Sequence, residues 1–234
     1  MPSLVNIDDQ TKTAVALKTD NVGTVTANDF PQMSNHVTVT PKFNEASIKK
    51  QVSVDNGATW GQDKSLATHD SEYEYKIDYQ LSDHADYTKI ELKDGLESIQ
   101  SVGAVKILDA NGNDITNKGV ISGLPTAGGQ TDGVKSTNQI TWTANDPAQY
   151  TRNGGTFTMI LSDVKIKGSS STEDALYYNQ KPIKPGTSTV DGSGKLVIPN
   201  TATLHWTDKT PNDGDKGDQT ITSDTTTVTP PNPT

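Results

Sequence analysis

From Tyr73 to Leu81 the chain alternates without a break: Tyr73, Tyr75, Ile77, Tyr79 and Leu81 occupy every second position, with Glu74, Lys76, Asp78 and Gln80 between them. In a strand, alternate side chains point to one face, so this stretch presents an apolar stripe only as β-structure. Thr, Val, Ile and Tyr recur in shorter alternations along the rest of the chain. They give strand candidates at 12–18, 21–27, 35–40, 46–54, 72–81, 86–93, 103–109, 138–143, 156–167, 194–206 and 219–229. Asn56-Gly57, Asn111-Gly112, Asn153-Gly154-Gly155 and Asp191-Gly192-Ser193-Gly194 separate them and supply the positive-φ residues that hairpins need. Short strands with this punctuation predict an antiparallel β-sandwich with little helix, not a βαβ fold. The one helical candidate is Ser171 to Asn179, where Ser171 and Asp174 resemble a capping box within a long loop.

Composition narrows the function classes. Acidic residues outnumber basic ones 29 to 20, the net charge is −9, and Arg152 is the single arginine, so a phosphate backbone would be repelled. With no cysteine, disulfides, thiolate catalysis and cysteine-ligated zinc all drop out. Neither an 18-residue apolar run nor a signal peptide is present, which reads as part of a longer protein whose targeting and anchoring segments lie elsewhere. A secreted β protein of this size without disulfides needs another source of robustness.

Three polar residues break the pattern by keeping its phase. Lys50 travels with Ile48, Val52 and Val54, and Asn200 with Ile198, Ala202 and Leu204. Asp94 travels with Ile90, Leu92 and Leu96 if the strand continues that far. All three are expected to point into the core. A buried ammonium without a partner costs several kcal/mol at least, so it is neutralised, paired or consumed. These residue types are what an intramolecular amide bond requires. A lysine neutralised by desolvation attacks an asparagine carboxamide, while a buried carboxylic acid polarises the carbonyl and shuttles protons as ammonia leaves. Adjacent strands supply the proximity so poor an electrophile needs. Lys49 is the rival amine and Glu91 and Asp78 are rival acids; all three lie out of phase with their apolar neighbours. The plainer alternative keeps Lys50 as an edge-strand lysine with its head in solvent, Asn200 in a bulge after Pro199, and Asp94 at the start of an Asp-Gly turn.

At these residues the chain resembles the isopeptide-forming immunoglobulin-like domains of Gram-positive surface adhesins and pilins, of the collagen-adhesin and fimbrial-backbone kind. The resemblance rests on Lys50 in a first strand, the Ile-x-Leu-x-Asp-x-Leu run from Ile90 to Leu96, Asn200-Thr201-Ala202-Thr203, and the closing Val228-Thr229-Pro230-Pro231. It covers roughly residues 43–231 and departs from the family pattern at Gly95-Leu96-Glu97. It implies a Lys50–Asn200 bond with Asp94 as catalyst, within an all-β, immunoglobulin-like antiparallel β-sandwich. No cofactor and no metal are expected.

Organisation follows the same lines. Asn21-Val22-Gly23-Thr24-Val25-Thr26, followed by Ser34 to Pro41, echoes Asn200-Thr201-Ala202-Thr203-Leu204-His205, followed by Ser223 to Pro231. Residues 1–42 are therefore expected to be an N-terminal β segment, read either as the closing strands of a preceding repeat or as the Thr-Val alternation that recurs in any β-rich protein. Residues 43–229 would be the cross-linked sandwich and 230–234 a proline-rich linker.

Weaker signals point elsewhere. Asn212 to Asp218 lacks the spacing of a calcium loop and reads as solvated. The histidines His36, His69, His84 and His205 show no metal-ligand spacing, and His205 is expected to be exposed. Trp60, Trp142 and the tyrosines could build a sugar-stacking platform, although a core stripe explains Tyr73, Tyr75 and Tyr79 more simply. No Gly-x-Ser-x-Gly elbow supports a hydrolase. The expected function is a structural or adhesive module of a cell-wall-attached surface protein or pilus, extracellular, with neighbouring modules of the same protein as partners. Nucleic acid and membrane contact by this segment are not expected. The alternative is a lectin-like sandwich that binds a host glycan or matrix protein without a cross-link. An enzyme acting on external substrates has the least support.

Overall fold

The computed structural model describes residues 5–7, 14–16, 19–35, 37–39, 44–68, 70–97, 100–124, 137–166, 189–190, 196–209 and 217–231. Six short strands come first: β1 (Val5–Ile7), β2 (Ala14–Ala16), β3 (Thr19–Asn21), β4 (Thr24–Ala27), β5 (Phe30–Met33) and β6 (Val37–Val39). The main body continues with β7 (Ser47–Ser53), β8 (Asp63–Ser65), β9 (Tyr73–Leu81), β10 (Tyr87–Glu97), β11 (Gln100–Ser101) and β12 (Ala104–Leu108). Its second half holds β13 (Gly119–Ser122), β14 (Thr137–Ala144), β15 (Gly155–Ile166) and β16 (Thr189–Val190). It closes with β17 (Leu196–Asn200), β18 (Ala202–Asp208), β19 (Asp218–Thr222) and β20 (Thr226–Thr229). Helix among the described residues is limited to 3-10 turns at Thr116–Lys118 and Pro147–Tyr150. None of it is long and apolar enough to cross a membrane.

Two sheets face each other. One has the order β13-β14-β10-β18-β19; the other runs β11-β15-β9-β7, with β12 also on β15. The tyrosine stripe of β9 is fully buried, opposite Ile90, Leu92 and Leu96 of β10 and Ile140 and Trp142 of β14. Contacts cross between the layers: Trp142 and Phe157 rings lie 5.7 Å apart, and the Tyr79 hydroxyl donates to the Lys93 carbonyl at 2.8 Å. The expectation that the stripe is core holds, and those buried rings are closed to a glycan. Asn56 (φ 53°) and Gly57 (φ 77°) form the expected left-handed turn after β7, where glycine accepts a backbone that other residues resist.

Beyond the run 21–27, which breaks into β3 and β4 on different sheets, three readings need correction. The run 194–206 is not one strand: it changes sheets at Thr201, β17 pairing with β20 and β18 with β10. The run 219–229 changes sheets beside it, β19 pairing with β18 and β20 with β17. An alternation pattern carries no information on which sheet a strand joins, so the corner is invisible to it. Third, β20 also pairs in parallel with β8, an exception to the antiparallel pattern. The candidate helix at 171–179 and most of the 212–218 loop lie outside the described residues.

Candidate functional site

β7 is an edge strand whose ladder partner is β9, with Lys50 opposite Ile77. The period-two phase nevertheless turns its side chain inward, and Lys50 is 1% exposed. Gln62 steadies the strand by donating Nε2–H to the Lys50 carbonyl at 2.7 Å. β10 does not turn at Asp94-Gly95; it continues to Glu97, with Asp94 opposite Ile140 on one side and Ala202 on the other. The Gly95 N–H donates to the Thr201 carbonyl at 2.8 Å, which fixes β10 against the corner where the chain changes sheets. Asn200 is the last residue before that corner, opposite Thr226, whose hydroxyl donates to the Asn200 carbonyl at 3.2 Å.

The three elements converge on one point. Asp94 is 0% and Asn200 2% exposed. Asp94 receives both neighbours: Lys50 Nζ donates to Oδ2, and Asn200 Nδ2 donates to Oδ1 at 3.0 Å. The Lys50 ammonium also sits 4.3 Å from the centre of the Tyr75 ring. Desolvation pushes Lys50 below the ordinary lysine range, against the pull of the Asp94 charge and hydrogen bond, which favour the protonated amine. Tyr79, a further wall residue, is held well above its usual range by burial and by the Asp94 charge, so its phenol stays neutral. Asn200 Oδ1 is buried and has no hydrogen-bond partner. Moving one proton from Lys50 to Asp94 would cancel two buried charges and leave a free amine beside a neutral acid and a carboxamide.

The rivals lie elsewhere. Lys49 is exposed. Asp78 faces away from the core and accepts from the Thr158 hydroxyl at 2.8 Å. Glu91 is on the opposite face of β10 from Asp94, where Lys93 approaches at 3.1 Å, Lys89 at 3.3 Å and His205 Nδ1 at 2.6 Å. Partial burial disfavours the Glu91 charge, but hydrogen bonds from His205, Lys93 and Lys89 outweigh it and hold the carboxyl at about 2. His205 is thus half-buried in a charge cluster, not exposed; Glu91 lies at its Nδ1 and Asp218 3.4 Å from its Nε2. No group of three His, Asp or Glu suited to a metal ion occurs among the described residues.

Sequence reasoning did not assign Gln62, Tyr75 or Thr226 to the site. Tyr75 was legible as core, and one added step would have found it, because it stands opposite Val52 on the strand that faces Lys50. Gln62 and Thr226 carry no local signal.

No family model and no curated protein matches the chain. Among solved structures it is similar to BcpA, the major pilin subunit of Bacillus cereus, at 16% identity and TM-score 0.50, over 90% of this chain and 48% of the pilin. A variant of the same pilin gives 15% identity and TM-score 0.51, over 98% and 52%. The full-length major pilin SpaD of Corynebacterium diphtheriae gives 12% identity and TM-score 0.48, over 78% and 35%. The chain spans about half the length of the Bacillus pilin structures, and with them it shares the fold of an all-β sandwich.

Proposed function

We propose that the chain is a structural or adhesive module of a Gram-positive surface protein or pilus, hardened by a self-formed amide bond between Lys50 and Asn200 with Asp94 as proton shuttle. The observation that carries this reading is the burial of all three side chains around one carboxyl, with Lys50 on one of its oxygens and Asn200 on the other. In the arrangement described, Asn200 donates to Asp94 and its carbonyl oxygen has no partner. Once Asp94 has taken the Lys50 proton, a half-turn of the carboxamide lets that oxygen accept from the acid, which polarises the carbonyl. Lys50 Nζ then bonds to Asn200 Cγ, Asp94 relays a proton to Nδ2, the Cγ–Nδ2 bond breaks and ammonia leaves. The dry pocket keeps water from competing, and no turnover follows.

Such a bond ties the edge strand β7 to the corner between β17 and β18. Force applied at the two ends of the module would pass through the amide and bypass most of the chain between Lys50 and Asn200. In the loop-closure model, cross-linking a loop of about 150 residues removes roughly 5 kcal/mol of unfolded-state entropy, the service a disulfide performs elsewhere. Intact-mass measurement tests the reading: the folded chain should be lighter than its sequence by one ammonia, and a branched peptide should join Lys50 to Asn200. An unshifted mass in folded protein sinks it.

A further inference from the structure

Beneath the tyrosine stripe lies another buried polar side chain, one with no part in the chemistry so far. Gln100 of β11 is 0% exposed. Its Oε1 accepts from the Tyr73 hydroxyl at 2.6 Å and from the Tyr75 hydroxyl at 3.1 Å, while its Nε2 is buried and has no hydrogen-bond partner. If filling space were the only need, an apolar side chain of similar size would serve without stranding a donor. What the oxygen holds accounts for the glutamine better.

It holds two rings. Tyr73 and Tyr75 project from the same face of β9 and meet edge to face, with centroids 5.8 Å apart and planes at 83°. Because both hydroxyls are tied to one atom, neither ring swings away without breaking a hydrogen bond in a buried setting. The face of the Tyr75 ring in turn carries Lys50 Nζ, 4.3 Å from its centre. In the sheet order β11-β15-β9-β7 these contacts run from β11 to β9 to β7. Asp94, six residues before Gln100, meets the same nitrogen from the facing sheet. Lys50 Nζ is therefore held from both layers.

We propose that Gln100 is a positioning residue for amide formation: by pinning the Tyr75 ring it fixes where Lys50 Nζ stands beside Asn200. The inference rests on the Lys50–Asn200 reading above. A lysine stem is long and flexible, and an amine free to wander spends little time in line with a carboxamide carbon. Asp94 holds the ammonium by charge and hydrogen bond, and the charge part of that hold is lost when the proton moves. The ring loses its attraction for the cation at the same moment but keeps its bulk, so a pinned ring still confines the neutral amine. Gln100 acts through that ring and not on the reacting atoms.

The rate of cross-linking tests it. The 234-residue chain is made by cell-free synthesis stopped at a fixed time; intact mass then follows the loss of ammonia, and protease resistance follows folding in the same samples. Gln100→Met, which keeps the bulk and loses the acceptor, should slow ammonia loss from folded chains by about tenfold or more. Tyr75→Phe should slow it too, and the double variant should be no slower than Gln100→Met alone, because both changes break one contact. Gln100→Glu, whose buried carboxyl still presents an acceptor oxygen, should recover most of the rate. A packing role alone predicts lower thermal midpoints, compared in an Asn200→Ala background where no bond forms, with the rate of ammonia loss unchanged in the reactive chains. Wild-type rates in folded Gln100→Met overturn the proposal and leave the Lys50 site standing. If Gln100→Met never becomes protease-resistant, Tyr75→Phe decides in its place, and a wild-type rate there overturns the proposal equally. A folded wild-type chain that keeps its full mass removes the Lys50–Asn200 reading and this one with it.

Discussion

The two faces of β10 carry a carboxylate each, three residues apart, and treat it in opposite ways. Inside, Asp94 meets one lysine and one carboxamide in a dry pocket. Outside, Glu91 meets Lys89, Lys93 and His205 at a half-buried surface, and Asp218 lies 3.4 Å from the far nitrogen of the same imidazole. The outer cluster has more charged partners and the weaker claim to chemistry. Water solvates its ions, so nothing forces a proton to move. The inner group has one cationic partner and no exposed surface: Lys50 and Asn200 are the hydrogen-bond partners of its carboxyl, and desolvation pushes Lys50 below the ordinary lysine range. On the proposed reading, reactivity at the inner site would come from burial, not from the density of charge.

Removing the inner acid should have the largest effect. Asp94→Ala should leave the chain at its full sequence mass and strand Lys50 without a partner. It should lose the roughly 5 kcal/mol of the cross-link plus several kcal/mol for the buried ammonium, read as a large drop in thermal midpoint. Asn200→Ala should come next: it also lacks the bond but keeps the buried Lys50–Asp94 pair, so it should unfold at a higher temperature than Asp94→Ala and below wild type. If the two variants melt together, the buried-charge part of the argument is wrong.

Outer-face changes should be smaller. Glu91→Gln should keep the mass deficit of one ammonia and change stability at neutral pH by about 1 kcal/mol or less. Its signature is the acid limb. The Glu91 carboxyl is held below its unfolded value of 4.5, down to about 2, so its contribution is complete above pH 4.5 and fades as pH falls toward 2. Acid titration of unfolding should therefore be flatter over that window in Glu91→Gln than in wild type; parallel curves would remove the ion cluster from the stability account. Smallest of all, Lys49→Ala should keep the deficit of one ammonia relative to its own sequence mass and shift stability by no more than about 0.5 kcal/mol, since Lys49 is exposed beside Lys50. A lost cross-link in that variant would reassign the amine.

Much of the site was legible because one rule, alternation, reads orientation directly. It separated Lys50 from Lys49 and Asp94 from Glu91, one and three residues apart, and the structure buries the in-phase member of each pair. The same rule failed at Thr201, where the phase runs on unbroken while the chain leaves one sheet for another. It failed for His205 too, because an outward position was equated with exposure although Glu91 and Asp218 flank the ring. Strands such as β8 and β13 are too short to alternate, and they form because β20 and β14 offer open edges to them.

By itself the sequence determined which side chains turn inward and that the chain must be built of strands, because both depend on a two-residue repeat set by local backbone geometry. Only the tertiary structure decided that Lys50, Asp94 and Asn200 share one pocket. Their meeting requires two facing sheets and a corner at which the chain changes sheets, and these follow from how distant strands pair.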